Sequence, residues 1–198
     1  MGFLRVALVL GVLLSAAPAR AAIITIDQLP AAFAGALATP GRQIIGLEPS
    51  IDFVIATDVF EIDAAEFGIN QVLFANDLTA NLPATGLNVI VVQDAGMAAG
   101  TAATAIANRL TTPGAGFFVY FNAGLQLPRL VYSADLSDPE ADLAVLARLQ
   151  NLGGAAGFAQ MPLFTAANFD IAVPEPATLL LLGSGLAGAV VRRRRTTK

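Results

Sequence analysis

Apolar residues in the middle of this chain fall in short unbroken runs, separated every few residues by glycine, proline, asparagine or acidic positions. Runs of that length read as strands. The pattern predicts strands at 51–56, 59–63, 72–75, 87–93, 117–122, 130–133 and 167–172. The segments 87–92 (Leu-Asn-Val-Ile-Val-Val) and 117–121 (Phe-Phe-Val-Tyr-Phe) are the most apolar, and are expected as central strands covered on both faces. Between them an alanine-rich stretch, 98–110, favours helix and would lay Ile106 and Leu110 over one sheet face before Thr112-Pro113-Gly114 stops it. A second helix is predicted after Asp138 as N-cap and Pro139 at the first helical position. Leu143, Leu146 and Leu149 form its stripe, Val145 widens it, and Gly153-Gly154 ends it. Together these predict an α+β domain, an antiparallel sheet with two short helices. An all-β sandwich is the alternative. No fixed-period repeat is present, which argues against solenoids and propellers.

The two ends follow a different pattern. Residues 1–21 carry Arg5, then the apolar stretch 6–14, then Ala19-Arg20-Ala21 with small residues at the −3 and −1 positions of a cleavage site before Ala22. That is the layout of a secretory signal peptide. Residues 173–198 run Val173-Pro174-Glu175-Pro176, an uncharged segment 177–191, and Arg192-Arg193-Arg194-Arg195. A helix starting beyond Pro176 would span about 22 Å against a hydrocarbon core of about 30 Å, a marginal transmembrane helix that snorkelling arginines extend. The positive-inside rule puts the arginines in the cytoplasm and the domain outside, the orientation the signal peptide also demands. The expected organisation is a signal peptide at 1–21, a globular domain at 22–172 and a tail at 173–198.

The order Pro174-Glu175-Pro176, apolar helix, arginine cluster, in the stretch VPEPATLLLLGSGLAGAVVRRRR, closely resembles the PEP-CTERM sorting signal of Gram-negative bacteria. The resemblance implies recognition of Pro174, Glu175 and Pro176 by an exosortase-like membrane processing enzyme, with Arg192, Arg193, Arg194 and Arg195 setting orientation. It further implies an inner-membrane-inserted precursor bound for the cell surface or extracellular matrix, in company with biofilm and exopolysaccharide genes. Gly183-Ser184-Gly185-Leu186-Ala187-Gly188 in this tail is formally a dinucleotide fingerprint, but it follows no strand and no acidic residue lies downstream of it. Its small residues suit close helix approach in a membrane instead.

Composition sharpens the picture of the central domain. The whole chain is 56% hydrophobic and 13% charged, with a net charge of −4 and no Cys, His or Trp. Residues 22–172 hold fourteen acidic residues against Arg42, Arg109, Arg129 and Arg148, leaving this region at −10. Nucleic acid is thereby a poor partner, since a binder needs a basic footprint. With no His, Cys or Lys in the domain, Ser-His-Asp, Cys-His and Schiff-base chemistry have no participants, and no serine sits in a nucleophile elbow. A carboxylate pair of the glycoside-hydrolase kind is the one mechanism the residue types leave open.

Two acidic clusters bear on ligands. Asp135, Asp138, Glu140 and Asp142 offer oxygen ligands for calcium, although their spacing is not that of an EF-hand, and capping of the predicted helix explains them without a metal. Asp58, Glu61, Asp63 and Glu66 are expected on a half-buried edge strand, with Glu61 and Asp63 on one face and Phe60 and Ile62 on the other. Arg129 is expected in an ion pair, and Tyr120 and Tyr132 as core residues rather than a sugar platform. The expectation is an exported, non-enzymatic envelope or matrix protein without a cofactor. A calcium- or polysaccharide-binding adhesin is the alternative, and a carboxylate-dependent glycoside hydrolase ranks below both.

Overall fold

In the computed structural model, which describes residues 21–36, 42–46 and 48–173, the chain alternates short strands with turns. In order these are β1 (Ile23–Ile26), β2 (Ile44–Ile45), β3 (Ser50–Ile51), β4 (Val59–Asp63), α1 (Ala64–Phe67), β5 (Phe74–Asp77), β6 (Val89–Val92), α2 (Ala99–Ala107), β7 (Gly116–Asn122), β8 (Leu127–Ser133), β9 (Leu143–Leu149), α3 (Gly154–Phe158) and β10 (Phe169–Ala172). The signal segment up to residue 20, and the sorting motif, apolar helix and arginine cluster of the tail, lie outside the described residues. Among the described residues no helix is long and apolar enough to cross a membrane.

The strands form two sheets. β4 lies between β1 and β10 in a three-stranded parallel sheet. The larger sheet has the order β2-β9-β8-β7-β6-β5, with β3 also on β9. β6, α2 and β7 make a parallel crossover, whereas β7, β8 and β9 run antiparallel. Alternation along the strands sends side chains to opposite faces. Ile90, Val92, Phe118, Tyr120, Val131, Leu143 and Val145 face α2, where Ala102, Ala103, Ile106 and Leu110 pack against them. Val89, Val91, Phe117, Val119, Leu130 and Leu149 face the smaller sheet, with its Phe60, Ile62 and Phe169, and Phe53 from the segment before β4. Phe53 stacks on Phe60 with centroids 4.4 Å apart, and Phe67 meets Phe117 at 4.9 Å. Fully burying such rings stabilises by about 1.5–3 kcal/mol each.

Several expectations hold. β6 and β7 are central and buried on both faces, and α2 forms in the alanine-rich stretch with Ile106 and Leu110 against the sheet. β7 must start at a glycine: a Cβ on Gly116 would sit 2.5 Å from the Asn88 carbonyl oxygen and 2.4 Å from Leu136 Cδ1.

Others are corrected. The second helix does not exist: Leu143, Val145, Leu146 and Leu149 lie on β9. Their spacing of three is incidental in a run buried on both faces, which carries no polar face to reveal its period. A bulge on β9 adds to the ambiguity, since Leu130 pairs with Ala147 and Val131 with Val145, leaving Leu146 without a partner. Asp138 and Pro139 begin a turn instead, in which Glu140 N–H donates to Asp138 Oδ1 at 2.8 Å. The expected antiparallel sheet holds only for β7, β8 and β9: the large sheet is mixed, the small one is parallel, and six of the eight strand pairings are parallel. The fold is mostly sheet with a few short helices, one of which covers a face of the large sheet. The strand at 51–56 shrinks to β3, because Asp58 Oδ2 accepts from Val54 N–H at 2.8 Å and holds that segment in a turn. The strand carrying Glu61 and Asp63 is the middle of its sheet, not an edge, although Phe60 and Ile62 are buried as expected.

Candidate functional site

The large sheet carries one concentrated polar cluster. Tyr120, Arg129 and Arg148 stand side by side on β7, β8 and β9, paired in register. Glu48 reaches over them from the segment before β3, and its two carboxylate oxygens bind Arg129 and Arg148 separately. Arg129 Nη1 also donates to Tyr120 Oη at 3.1 Å, and Asn122 Nδ2 donates to the same oxygen at 3.0 Å. Two like charges on adjacent strands are thus held together by one shared carboxylate, which ties the β3 strap to the sheet. Arg129 takes an ion pair as expected. Glu48 escaped notice because nothing in its neighbourhood, Gly46 to Ser50, marks it for a partner about eighty residues away. Tyr120 is wholly buried, and Tyr132 packs among Phe33, Phe67 and Phe117, so neither offers a face to a sugar. Burial first, and then the charge of Glu66, push the Tyr132 hydroxyl above its ordinary pKa.

The four calcium candidates are not gathered together. Asp142, almost fully buried, accepts from Ala36 N–H and Gln43 N–H, both at 2.9 Å, and so holds these two backbone positions on one carboxylate. Asp135 Oδ1 accepts from Gly114 N–H at 3.0 Å and from both the N–H and the hydroxyl of Ser137 at 2.8 Å. Asp138 and Glu140 act on Arg42. Burial lowers the pKa of that guanidinium, and the two carboxylates oppose the shift by favouring its charge. Among the described residues no three acidic side chains converge as a metal would require.

In the other cluster, Asp63 caps α1 by accepting from Ala65 N–H at 2.7 Å, and Glu66 accepts from Leu29 N–H at 3.1 Å. Asp58 is buried. Burial alone would raise its carboxyl pKa, but hydrogen bonds from Ala22 N–H, Val54 N–H and the Thr57 hydroxyl outweigh that and hold it below the usual range. Asp58, Asp63 and Glu66 are thus spent on backbone N–H groups.

A shallow cleft of about 500 Å³ lies beside α2, lined by Arg42, Thr101, Thr104, Asn108 and Glu140. Arg42 is partly committed there, since its Nε donates to Ala141 O at 3.0 Å and its Nη1 to Gly100 O at 2.6 Å, while its Nη2 is buried without a hydrogen-bond partner among the described residues. Among the described residues lining the cleft, no nucleophile is hydrogen-bonded to a carboxylate.

The remaining candidates belong to the tail. β10 pairs with β4 up to Ala172 opposite Asp63, and an exposed Val173 is the one residue between that strand and Pro174. The folded body therefore hands the chain directly to the motif. Pro174, Glu175, Pro176 and Arg192 to Arg195 themselves lie outside the described residues. No curated protein and no solved structure is similar to the chain. A family model does match, that of the PEP-CTERM protein-sorting motif, over residues 172–195, from the last residue of β10 through the arginine cluster. The chain carries a PEP-CTERM tail, the signal by which exosortase recognises a protein for export and membrane processing.

Proposed function

We propose that the acidic domain is the cargo of this tail, a non-enzymatic protein delivered to the cell surface or extracellular matrix, where it works in association with exopolysaccharide. The tail match over residues 172–195 carries the reading. It is supported by the chemistry of the domain, which holds no His, Cys or Lys and spends its best-placed carboxylates on backbone N–H groups. A charge of −10 over residues 22–172 favours a neutral or cationic matrix over anionic polymers. In this reading the domain needs neither a metal nor a cofactor.

Sorting is the mechanism. The segment 177–191 holds the precursor in the membrane, Arg192 to Arg195 keep the end of the tail in the cytoplasm, and Pro174-Glu175-Pro176 is the recognised element. Replacing those three residues with alanine is expected to leave the protein exported but membrane-bound and at precursor mass, by fractionation and mass spectrometry. Normal tail removal in that variant, or retention of the parent in the membrane fraction with none in the matrix, would sink the proposal.

A further inference from the structure

The first residue of the folded domain is held by a buried carboxylate. Ala22 N–H donates to Asp58 Oδ1 at 2.9 Å, while Ala22 O accepts from Val59 N–H at 3.0 Å, so residue 22 enters β1 with both backbone groups paired. Asp58 is 4% exposed. Its other donors are Val54 N–H at 2.8 Å and the Thr57 hydroxyl at 3.0 Å. Among the described residues both ion pairs go to Glu48, and no arginine reaches Asp58. Among the described residues this carboxylate is thus buried on neutral donors alone, whereas buried charges are ordinarily paired. Ala19 and Ala21 occupy the −3 and −1 positions of the signal-peptidase site, which makes the Ala22 nitrogen the new N-terminus. Ala21 and Ala22 are both exposed, so the bond between them is accessible while its nitrogen points at Asp58.

We propose that Asp58 is the receiving site for the α-ammonium group that signal-peptide removal creates at Ala22. Hydrolysis adds one water across the Ala21–Ala22 amide. The Ala21 carbonyl carbon leaves with the signal peptide as a carboxylate, and the Ala22 nitrogen keeps its chain and becomes an ammonium. That ammonium stands where the amide N–H stood, so a neutral hydrogen bond becomes a charge-assisted ion pair on a carboxylate shielded from water. β1 is an edge strand, with β4 as its one neighbour in the sheet. Processing therefore clamps the start of that strand, and the mature chain is more stable than its precursor. The inference rests on the reading of residues 1–21 as a removed signal peptide.

Lys198 is the only lysine in the sequence, so a chain without its signal peptide but with its tail intact carries two amines, the α-amine and Lys198, and acylation reports on the first against the second. Chains made to begin at Ala22 and at Ala21, both continuing to Lys198, are labelled in detergent near neutral pH with a water-soluble acylating ester. The α-amine of the Ala22 chain is expected to label about tenfold more slowly, relative to Lys198, than that of the Ala21 chain. The Ala22 chain should also melt about 2–4 °C higher. Asp58→Asn brings the two starts together in both measurements. N-acetylation of Ala22 lowers its melting to that of the Ala21 chain, a comparison that does not depend on the Asp58 variant folding. Equal labelling of the two starts with Asp58 in place overturns the pairing, as does a difference that survives Asp58→Asn. N-terminal sequencing of the exported protein tests the cleavage site separately: a start at Ala22 supports the assignment, and any other start overturns it even where the engineered chain forms the pair.

Discussion

Replacing Glu48 with glutamine removes one charge and leaves two guanidinium groups facing each other. Arg129 and Arg148 are direct partners in the β8–β9 register, and Glu48 binds both. The side chains differ in exposure, at 11% for Arg129, 18% for Glu48 and 38% for Arg148. The Arg129 half is largely dry, and breaking such a pair costs about 3 kcal/mol because the remaining charge stays buried without compensation. The Arg148 half is wet and screened, and adds no more than about 1 kcal/mol. The glutamine carbonyl can still accept one hydrogen bond, which returns about 1 kcal/mol. The net loss of about 2–3 kcal/mol should lower the melting temperature by about 5–10 °C in a domain of this size. Glu48 sits at φ +44°, in the left-handed region, and glutamine bears the same backbone cost, so the comparison isolates the charge. Thermal melting followed by circular dichroism is the assay, at low salt and again in about 1 M salt, which screens exposed charges within about 3 Å. High salt should recover little of the loss, because the Arg129 half is shielded. Arg148→Gln, which removes the wetter arginine and relieves the like-charge contact, should cost less than about 3 °C. The reasoning fails if Glu48→Gln melts within about 2 °C of the parent, or if both variants lose the same amount.

Gly157→Ala should be far more damaging than its size suggests. A Cβ there would lie 1.7 Å from the Leu152 carbonyl oxygen and 2.1 Å from its carbon, so α3 would have to lift off the preceding turn. A loss above about 3 kcal/mol is expected, read as collapse of soluble yield or of the melting temperature, and parental melting would contradict the close approach. Acid should act through Asp58. Its native pKa is depressed, so its contribution is complete above the unfolded value of about 3.9 and disappears as pH falls through the native one. The melting gap between the parent and Asp58→Asn should therefore be full near neutrality and close below about pH 4, and a constant gap down to strong acid would refute the assignment.

The legible parts of this molecule are those whose information is local. Val89–Val92 and Phe117 to Phe121 could be buried only as central strands, and the Phe60/Glu61/Ile62/Asp63 alternation set two faces before any partner was known. The alanine-rich stretch before Leu110 made α2 by propensity, because small side chains let a helix lie close on the sheet. The sorting tail was readable for the same reason, since its proline pair, apolar run and arginines are contiguous.

What the sequence by itself determined, then, is the route of the protein, the acidic character of its domain, and the strands whose two faces are both apolar. Tertiary structure decided the rest. Leu143 to Leu149 is apolar enough for helix or strand, and only the presence of β8 on one side and of β2 and β3 on the other made it β9. The direction of pairing was likewise not local, because a strand has the same alternation whether its neighbour runs with it or against it. The acids show the point most clearly: Asp58, Asp142 and Glu48 look alike in sequence. Their roles came from what the fold places beside them: the N–H just ahead of β1, two backbone N–H groups from Ala36 and Gln43, and two arginines. A carboxylate's function depends on its partners, and here the partners that matter come from distant parts of the chain.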